Sequence, residues 1–118
     1  MEIFHEFTVE AAHELPAVPE NHPCRHMHGH AYRIEVHIEG PVDEQVGWVA
    51  DYAEISDAFE PLRRQLDHRV LNEVEGLSNP TSENLARWVW KRLRPTLPGL
   101  RCIIVRETDR TGCVYRGG

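Results

Sequence analysis

The sequence predicts an α+β protein in which a four-stranded antiparallel sheet carries two helices on one face. Two segments near the start, residues 2–14 and 28–39, place apolar side chains at every second position, as strands do. Two segments with helical apolar spacing follow, and two further strand-like segments complete the chain. The resulting order, β-β-α-α-β-β, is typical of a sheet whose helices are segregated to one side.

The first strand, residues 2–14, is predicted to have one apolar face and one solvent-exposed face. Ile3, Phe7 and Val9 share the odd positions, which also include His13, whereas glutamates recur at the even positions. The second strand has its apolar face at the even positions, which are His28, His30, Tyr32, Ile34, Val36 and Ile38. The segment GPVDEQVG then turns the chain.

The first helix is predicted to begin at Asp51, with Glu54 three residues later as in a capping box. Pro61 lies inside this helix and is expected to kink or break it. The second helix is predicted to start near residues 79–82 and to stop at Pro95. The inner face of the first helix is formed by Ile55, Phe59, Leu62 and Leu66.

The carboxy-terminal part is predicted to form a hairpin. Residues 100–107, LRCIIVRE, indicate a buried strand, DRTG at 109–112 turns the chain, and CVYRG forms the returning strand. With 118 residues, of which 41% are hydrophobic and 27% charged, the chain is expected to form one globular domain spanning residues 1–118.

Composition argues against several classes of function. The net charge of −6, without any basic block, disfavours nucleic acid and anionic membrane surfaces as partners. No apolar run is long enough for a membrane span, and the amino terminus does not resemble a signal peptide. Three cysteines provide no disulfide framework, so a reducing, cytoplasmic setting is expected.

Three histidines stand where their side chains can converge. His28 and His30 leave the same face of one strand, and His13 leaves the corresponding face of the preceding strand. Buried histidines need partners for their ring nitrogens, and one divalent metal would supply a partner to all three. The alternative is that they are satisfied core or surface histidines. His26 and His37 lie off this pattern and are expected to be surface residues.

Two kinds of metal site fit this pattern. Three histidines alone would leave an open position, as in catalytic zinc sites, whereas Cys24 as a fourth ligand would close the site. Zn²⁺ is the first choice for such ligands, with nickel, iron and copper as alternatives.

Five motifs, in order along nearly the whole chain, together resemble the 6-pyruvoyl-tetrahydropterin synthase family. They are AAHEL around His13, Cys24-x3-His28-Gly29-His30, LDHRVLN around His68, NPTSEN at 79–84, and ET…GCVYRG at the carboxy terminus. The short gap between Cys24 and His28 and the GCVYRG ending resemble the bacterial carboxytetrahydropterin synthases of queuosine biosynthesis.

The resemblance implies the tunnelling fold, in which such sheets assemble into a β-barrel as trimers, commonly stacked into homohexamers. It implies a zinc ion held by His13, His28 and His30. It also implies the conversion of 7,8-dihydroneopterin triphosphate to 6-carboxytetrahydropterin, acetaldehyde and triphosphate. The alternatives are a 6-pyruvoyl-tetrahydropterin synthase, a homologue that cleaves the side chain at another step, and a non-catalytic zinc-binding assembly module.

Removal of a carbon-bound proton in this reaction needs a base. Cys24, as a thiolate, is predicted to be that base, the alternatives being a zinc ligand or an inert loop thiol. A second proton carrier is predicted at His68, oriented by Asp67; the alternative is a histidine at a helix end.

Glu107 shares parity with Ile103 and Val105 and is predicted to point inward. A carboxylate there can accept two hydrogen bonds from the donor edge of a pterin, so Glu107 is predicted to anchor the ring and to join the proton relay. The alternative is an internal ion pair with Arg106 or Arg116. Thr81 and Ser82 are equally able to bind the ring or to cap the helix.

Overall fold

The computed structural model describes residues 1–118. One sheet holds five strands in the order β3-β1-β2-β4-β5, and two helices connect its halves. The strands are β1 (Glu2–His13), β2 (His28–Glu39), β3 (Arg69–Val70), β4 (Leu100–Arg106) and β5 (Gly112–Tyr115). The helices are α1 (Tyr52–Leu66) and α2 (Ser82–Leu93), and short 3-10 turns cover Pro23–Arg25 and Leu71–Glu73.

The predicted α+β class and the order of the main elements are confirmed, but the prediction of a purely antiparallel, four-stranded sheet is wrong. The additional strand, β3, pairs in parallel with the end of β1, where Arg69 lies opposite Ala11 and Val70 opposite Ala12. A strand of two residues has no periodicity that could reveal it in the sequence. It fixes the segment after α1 beside the end of β1.

β1 and β2 form a long antiparallel pair whose register decides where the histidines lie. His13 lies directly opposite His28, and Ala11 lies opposite His30. Facing residues on one side of an antiparallel pair have Cβ atoms only about 5 Å apart. The meander that the sequence predicts therefore brings the three histidines to one end of the sheet, on one face.

Both helices cover the same face of the sheet. The buried apolar cluster combines the odd positions of β1 and the even positions of β2 with the inner faces of α1 and α2. Phe7 of β1 stacks on Phe59 of α1 with ring centroids 4.1 Å apart. The residues of this face are apolar and buried except at the end that carries the histidines. Buried polar groups at that end need hydrogen-bond partners in the protein or in a bound group.

The helix ends agree with the sequence, but of the two effects predicted for Pro61, a kink or a break, the break is wrong. Asp51 caps α1 and accepts a hydrogen bond from the backbone N–H of Ala53, and Thr81 caps α2 in the same way through Asn84. Pro61 does not break α1, which continues to Leu66. Pro61 is exposed, so the carbonyl that loses its partner faces water while buried residues on both sides hold the helix on the sheet.

None of the helices has the length and apolar character that crossing a bilayer requires.

Candidate metal centre

Three histidine side chains meet at the end of the β1–β2 pair. One ring nitrogen from each of His13, His28 and His30 lies within 4.8 Å of the other two. His13 is fully buried, whereas the other two are half-buried. The ring centroids of His13 and His28 are 4.5 Å apart, and those of His28 and His30 are 5.0 Å apart. We call this group the three-histidine cluster.

Backbone carbonyls fix the tautomers of two of these rings. The Nδ1–H of His13 donates to the carbonyl oxygen of Pro80 (2.8 Å), and the Nδ1–H of His28 donates to the carbonyl oxygen of His26 (2.7 Å). In a neutral imidazole the other nitrogen, Nε2, then carries a lone pair and no proton. Both rings therefore present a bare Nε2 to the centre of the cluster.

The distances at the centre suit a shared cation. The Nε2 atoms of His13 and His28 are 3.0 Å apart, although neither has a proton to donate to the other. Two nitrogens bound tetrahedrally to one zinc are separated by about 3.3 Å. The buried Nε2 of His30 has no hydrogen-bond partner in the chain. One cation would satisfy all three nitrogens, so the residues fit a zinc ion.

The pKa values of two histidines in the cluster are lowered, which favours the neutral form that binds a metal. Burial is the main cause that lowers the pKa of His13 and of His30 below 6.5, and the neighbouring His28 lowers both further. The Glu107 carboxylate opposes this effect at both histidines. Neutral imidazole is the form that binds a metal, so little proton competition is expected near neutral pH.

Tyr32 also belongs to the site. The sequence pattern places this residue on the apolar face of β2 but predicts no functional role for it. Its hydroxyl lies 3.0 Å from Nδ1 and 3.3 Å from Nε2 of His13. Burial above all, and then the charges of Glu107 and Cys24, raise the pKa of Tyr32 far above its usual range. The hydroxyl therefore stays protonated and uncharged beside the cluster. The sequence could have indicated this, because Tyr32 shares the even-numbered positions, and hence the same face of β2, with His28 and His30.

Glu107 reaches the cluster from the end of β4. Its Oε1 lies 3.5 Å from Nε2 of His13 and 3.8 Å from Nε2 of His30. No arginine pairs with it: Arg106 instead binds Glu35 at 2.9 Å. The side chain is 27% exposed, not buried as parity predicted, because the strand ends one residue earlier and Glu107 sits at the rim. Its carboxylate is thus available to a ligand.

Cys24 lies near the cluster but is not part of the group of nitrogens that converge. It is a free, half-buried thiol in the 3-10 turn before β2, and its backbone carbonyl accepts a hydrogen bond from the N–H of Leu15. Its Sγ atom does not belong to the group of ligand atoms that lie within 4.8 Å of one another. This position leaves the open three-histidine arrangement available and a thiol beside it.

Asp67 and His68 follow the end of α1, on the β3 side of the sheet. Asp67 accepts a hydrogen bond from the backbone N–H of Glu10 (3.0 Å) and lies 3.8 Å from Nε2 of His68, too far for a hydrogen bond. His68 is 75% exposed and has a positive φ of 58°. It shares the wall of a cavity of about 460 Å³ with His30, whereas neither Cys24 nor Glu107 lines this cavity.

The segment before α2 contributes through its backbone. Thr81 caps the helix, as one of its two predicted roles requires, and its hydroxyl accepts from the N–H of Asn84 (3.1 Å). Ser82 is the first residue of α2 and is half-buried. The carbonyls of Pro80 and His26, which orient the ligands, had no signal in the sequence because a backbone carbonyl is the same in every residue.

The chain matches the model of the family described as "6-pyruvoyl tetrahydropterin synthase" over residues 2–118. A 6-carboxy-5,6,7,8-tetrahydropterin synthase from Synechocystis is 35% identical over 119 residues, covering 96% of this chain and 91% of the relative. A dihydroneopterin monophosphate aldolase from Pyrococcus furiosus is 38% identical over 73 residues, covering 62% of this chain and 60% of the relative.

Among solved structures, the 6-pyruvoyl tetrahydropterin synthase of Caenorhabditis elegans superposes with a TM-score of 0.92. It is 25% identical, and the match covers 100% of this chain and 96% of that one. The strand and helix arrangement described above is therefore shared over the full length.

Proposed function

Because the chain belongs to the 6-pyruvoyl tetrahydropterin synthase family, we propose that it is a zinc-dependent lyase acting on a pterin side chain. The proposed reaction converts 7,8-dihydroneopterin triphosphate to 6-carboxy-5,6,7,8-tetrahydropterin, acetaldehyde and triphosphate. The Synechocystis relative, similar over almost the whole chain, supports this member of the family over its pyruvoyl-forming members. The pathway proposed for it is queuosine biosynthesis in the cytoplasm.

One observation carries the proposal: the Nε2 atoms of three histidines converge with two tautomers fixed and no proton to share. Without a cation such nitrogens would cost stability, because unpaired buried polar atoms do. Three ligands also leave a fourth position open, whereas the zinc site of an assembly module would normally have four protein ligands. When bound, zinc supplies Lewis-acid stabilisation of the negative charge that develops on the side-chain oxygens of the substrate. His13, His28 and His30 would hold it.

The chain's own residues supply the proton transfers. Cys24 is proposed as the base, because it is a free, half-buried thiol in the turn that leads into His28 and His30 and does not belong to the group of converging ligands. Tyr32 keeps its proton and is positioned to hold His13 in place. His68 is proposed as the second proton carrier because its exposed imidazole, 3.9 Å from the carboxylate of Glu10, is open to a ligand.

Glu107 is proposed to anchor the pterin ring, with Ser82 and Thr81 adding hydrogen bonds at the start of α2. Its half-exposed carboxylate at the rim can accept two hydrogen bonds from the ring's donor edge. Asp67 is proposed to act on His68 only by charge, since its Oδ2 atom lies 3.8 Å from Nε2 of His68, too far for a hydrogen bond, and pairs with Arg63 at 3.5 Å. The active assembly is proposed to be a homo-oligomer, a trimer or hexamer.

Product identification tests this proposal. The zinc-loaded protein is incubated with 7,8-dihydroneopterin triphosphate, and the pterin, acetaldehyde and triphosphate are measured by mass spectrometry. We expect 6-carboxytetrahydropterin and acetaldehyde in equal amounts. A tetrahydropterin that keeps its full three-carbon side chain, formed without acetaldehyde, would assign the chain to the pyruvoyl branch. No consumption by the zinc-loaded protein would leave only an assembly role.

A further inference from the structure

A second group of ligand-type side chains lies on the opposite face of the sheet, at the other end of the long strands. One ligand atom from each of Glu2, His37 and Cys102 lies within 4.8 Å of the other two. Seven residues separate His30 from His37 along β2, which corresponds to about 23 Å. The two groups also leave opposite faces of β2. This group is therefore spatially separate from the three-histidine cluster.

Three neighbouring strands each contribute one side chain to this group. Cys102 of β4 lies directly opposite His37 of β2, and Glu2 of β1 reaches His37 diagonally, with its Oε2 3.1 Å from Nδ1. The register between β2 and β4 shifts between His37 and Ile38, a bulge of the kind that re-aims side chains. Phe4 stacks on the imidazole with ring centroids 5.1 Å apart and fixes its plane.

The second nitrogen of His37 is oriented by a buried carboxylate. Oε1 of Glu35 lies 3.0 Å from Nε2 of His37, while its Oε2 binds Arg106 at 2.9 Å. Glu35 is only 7% exposed, so its charge is committed to these two partners. A carboxylate that accepts from one ring nitrogen leaves the other available to a metal, which is the usual outer arrangement at histidine ligands.

We propose that Glu2, His37 and Cys102 form a second binding site for a divalent transition metal such as Zn²⁺. The Nδ1 atom of His37, the Sγ atom of Cys102 and a carboxylate oxygen of Glu2 would be the ligands, and tetrahedral coordination would leave a fourth position for water. The donor set of one thiolate, one imidazole and one carboxylate suits zinc and its neighbours rather than Mg²⁺ or Ca²⁺.

Charge balance supports this site. A thiolate and one carboxylate neutralise a divalent cation, and the Glu35 charge is already matched by Arg106. Burial above all, and then the Glu2 carboxylate, raise the pKa of Cys102, so without a cation its thiol stays protonated. Binding must therefore displace the thiol proton and break the contact between His37 and Glu2, which makes this site weaker than the three-histidine cluster.

Cobalt titration of the full chain tests the proposal. Co²⁺ replaces zinc at such sites, and a bound thiolate gives a sulfur-to-cobalt charge-transfer absorption. All proteins carry Cys24→Ser, so that absorption cannot come from the thiol near the other cluster. We expect two equivalents of Co²⁺, with the absorption appearing only as the second equivalent binds. Adding His28→Ala should remove the first equivalent and leave the absorption unchanged.

Matched variants identify the ligands. Cys102→Ser should abolish the absorption and reduce binding to one equivalent, whereas Cys113→Ser, a strand cysteine outside the group, should change neither. Glu2→Gln, at an exposed position with little risk to folding, should weaken the second equivalent about tenfold or more. Binding of a single equivalent, or absorption that survives Cys102→Ser in a protein with an unchanged circular dichroism spectrum, would overturn the proposal.

Discussion

The two histidine-containing groups of this chain share strands β1 and β2 but differ in the hydrogen-bond partners of their ring nitrogens. In the three-histidine cluster, backbone carbonyls accept hydrogen bonds from the Nδ1–H groups of His13 and His28, and the Nε2 atoms of these two rings face each other without a donor. At His37, both ring nitrogens lie within about 3 Å of carboxylate oxygens, so both have partners without any metal. The partner of each ring, a carbonyl or a carboxylate, decides whether the site requires a cation or only accepts one.

This difference teaches how one pair of strands can carry two sites of unequal strength. A carbonyl that accepts from one ring N–H leaves the other nitrogen with a free lone pair, whereas a metal at His37 must break an existing contact with the Glu2 carboxylate. The first site is therefore expected to keep zinc through purification, and the second to load only at higher free metal concentration. The following changes test this contrast.

The largest effect is expected from His28→Ala. It removes one of the three converging nitrogens, so the tightly held equivalent of zinc should be lost and turnover should fall by about 10³-fold or more. Metal analysis and product assays measure both. His26→Ala is the matched control because its side chain is exposed and only its carbonyl serves the cluster. Loss of zinc in the control as well would show that the effect is not specific to the ligand.

Cys24→Ala tests whether this thiol is needed for turnover or for metal binding. If the thiol is the base, turnover should fall by about 10²- to 10⁴-fold while the tightly bound zinc remains near one per chain. Cys113→Ala, a thiol on β5, should retain full activity. Loss of zinc in the Cys24 variant would instead make the thiol a ligand and close the open position.

Glu35→Gln probes the second group without touching the first. The change removes a buried charge that holds His37 and Arg106, so the free energy of unfolding should fall by about 2 kcal/mol. Urea unfolding in the presence of a chelator measures this. Glu39→Gln, which alters an exposed ion pair with Arg101, should cost less than about 0.5 kcal/mol. Equal costs would mean that burial of Glu35 is not important.

The smallest effect is expected in the pH dependence of the chelated protein. The pKa values of His13 and His30 are lowered in the folded state, so the unfolded chain takes up protons first as the pH falls. The contribution of these two histidines to stability should be nearly constant above about pH 7.5 and decline as the pH falls through 6.5, by at most about 1.4 kcal/mol per pH unit for each histidine. His30→Gln should make the decline shallower. An unchanged slope in that variant would contradict the assigned direction.

The parity of β1 and β2 was enough to predict the strands, their pairing and the convergence of the histidines, because alternation fixes which face each side chain leaves. The caps at Asp51 and Thr81 followed from side-chain chemistry in the same way. The short β3 strand was not predictable because it exists only through pairing with β1. The break expected at Pro61 did not occur because packing outweighs one lost hydrogen bond.

The second group shows where parity misled. His37 was expected to be a surface residue because its position belongs to the polar face of β2. In the structure that face is crowded by Phe4, Glu35 and Cys102 from three strands, and the His37 side chain is only 13% exposed. Which strands lie beside β2, and in what register, is a property of the whole sheet, so no local pattern could reveal this burial.

The carbonyls of Pro80 and His26 carry a consequence for mutational studies. They orient two ligands, yet replacing either side chain leaves the oxygen atom in place. An alanine scan would score both positions as silent, and natural variation there would be tolerated as long as the local path of the main chain is kept. Residues that matter only through their peptide groups become visible when that path is shifted, for example by an insertion between Pro80 and the start of α2.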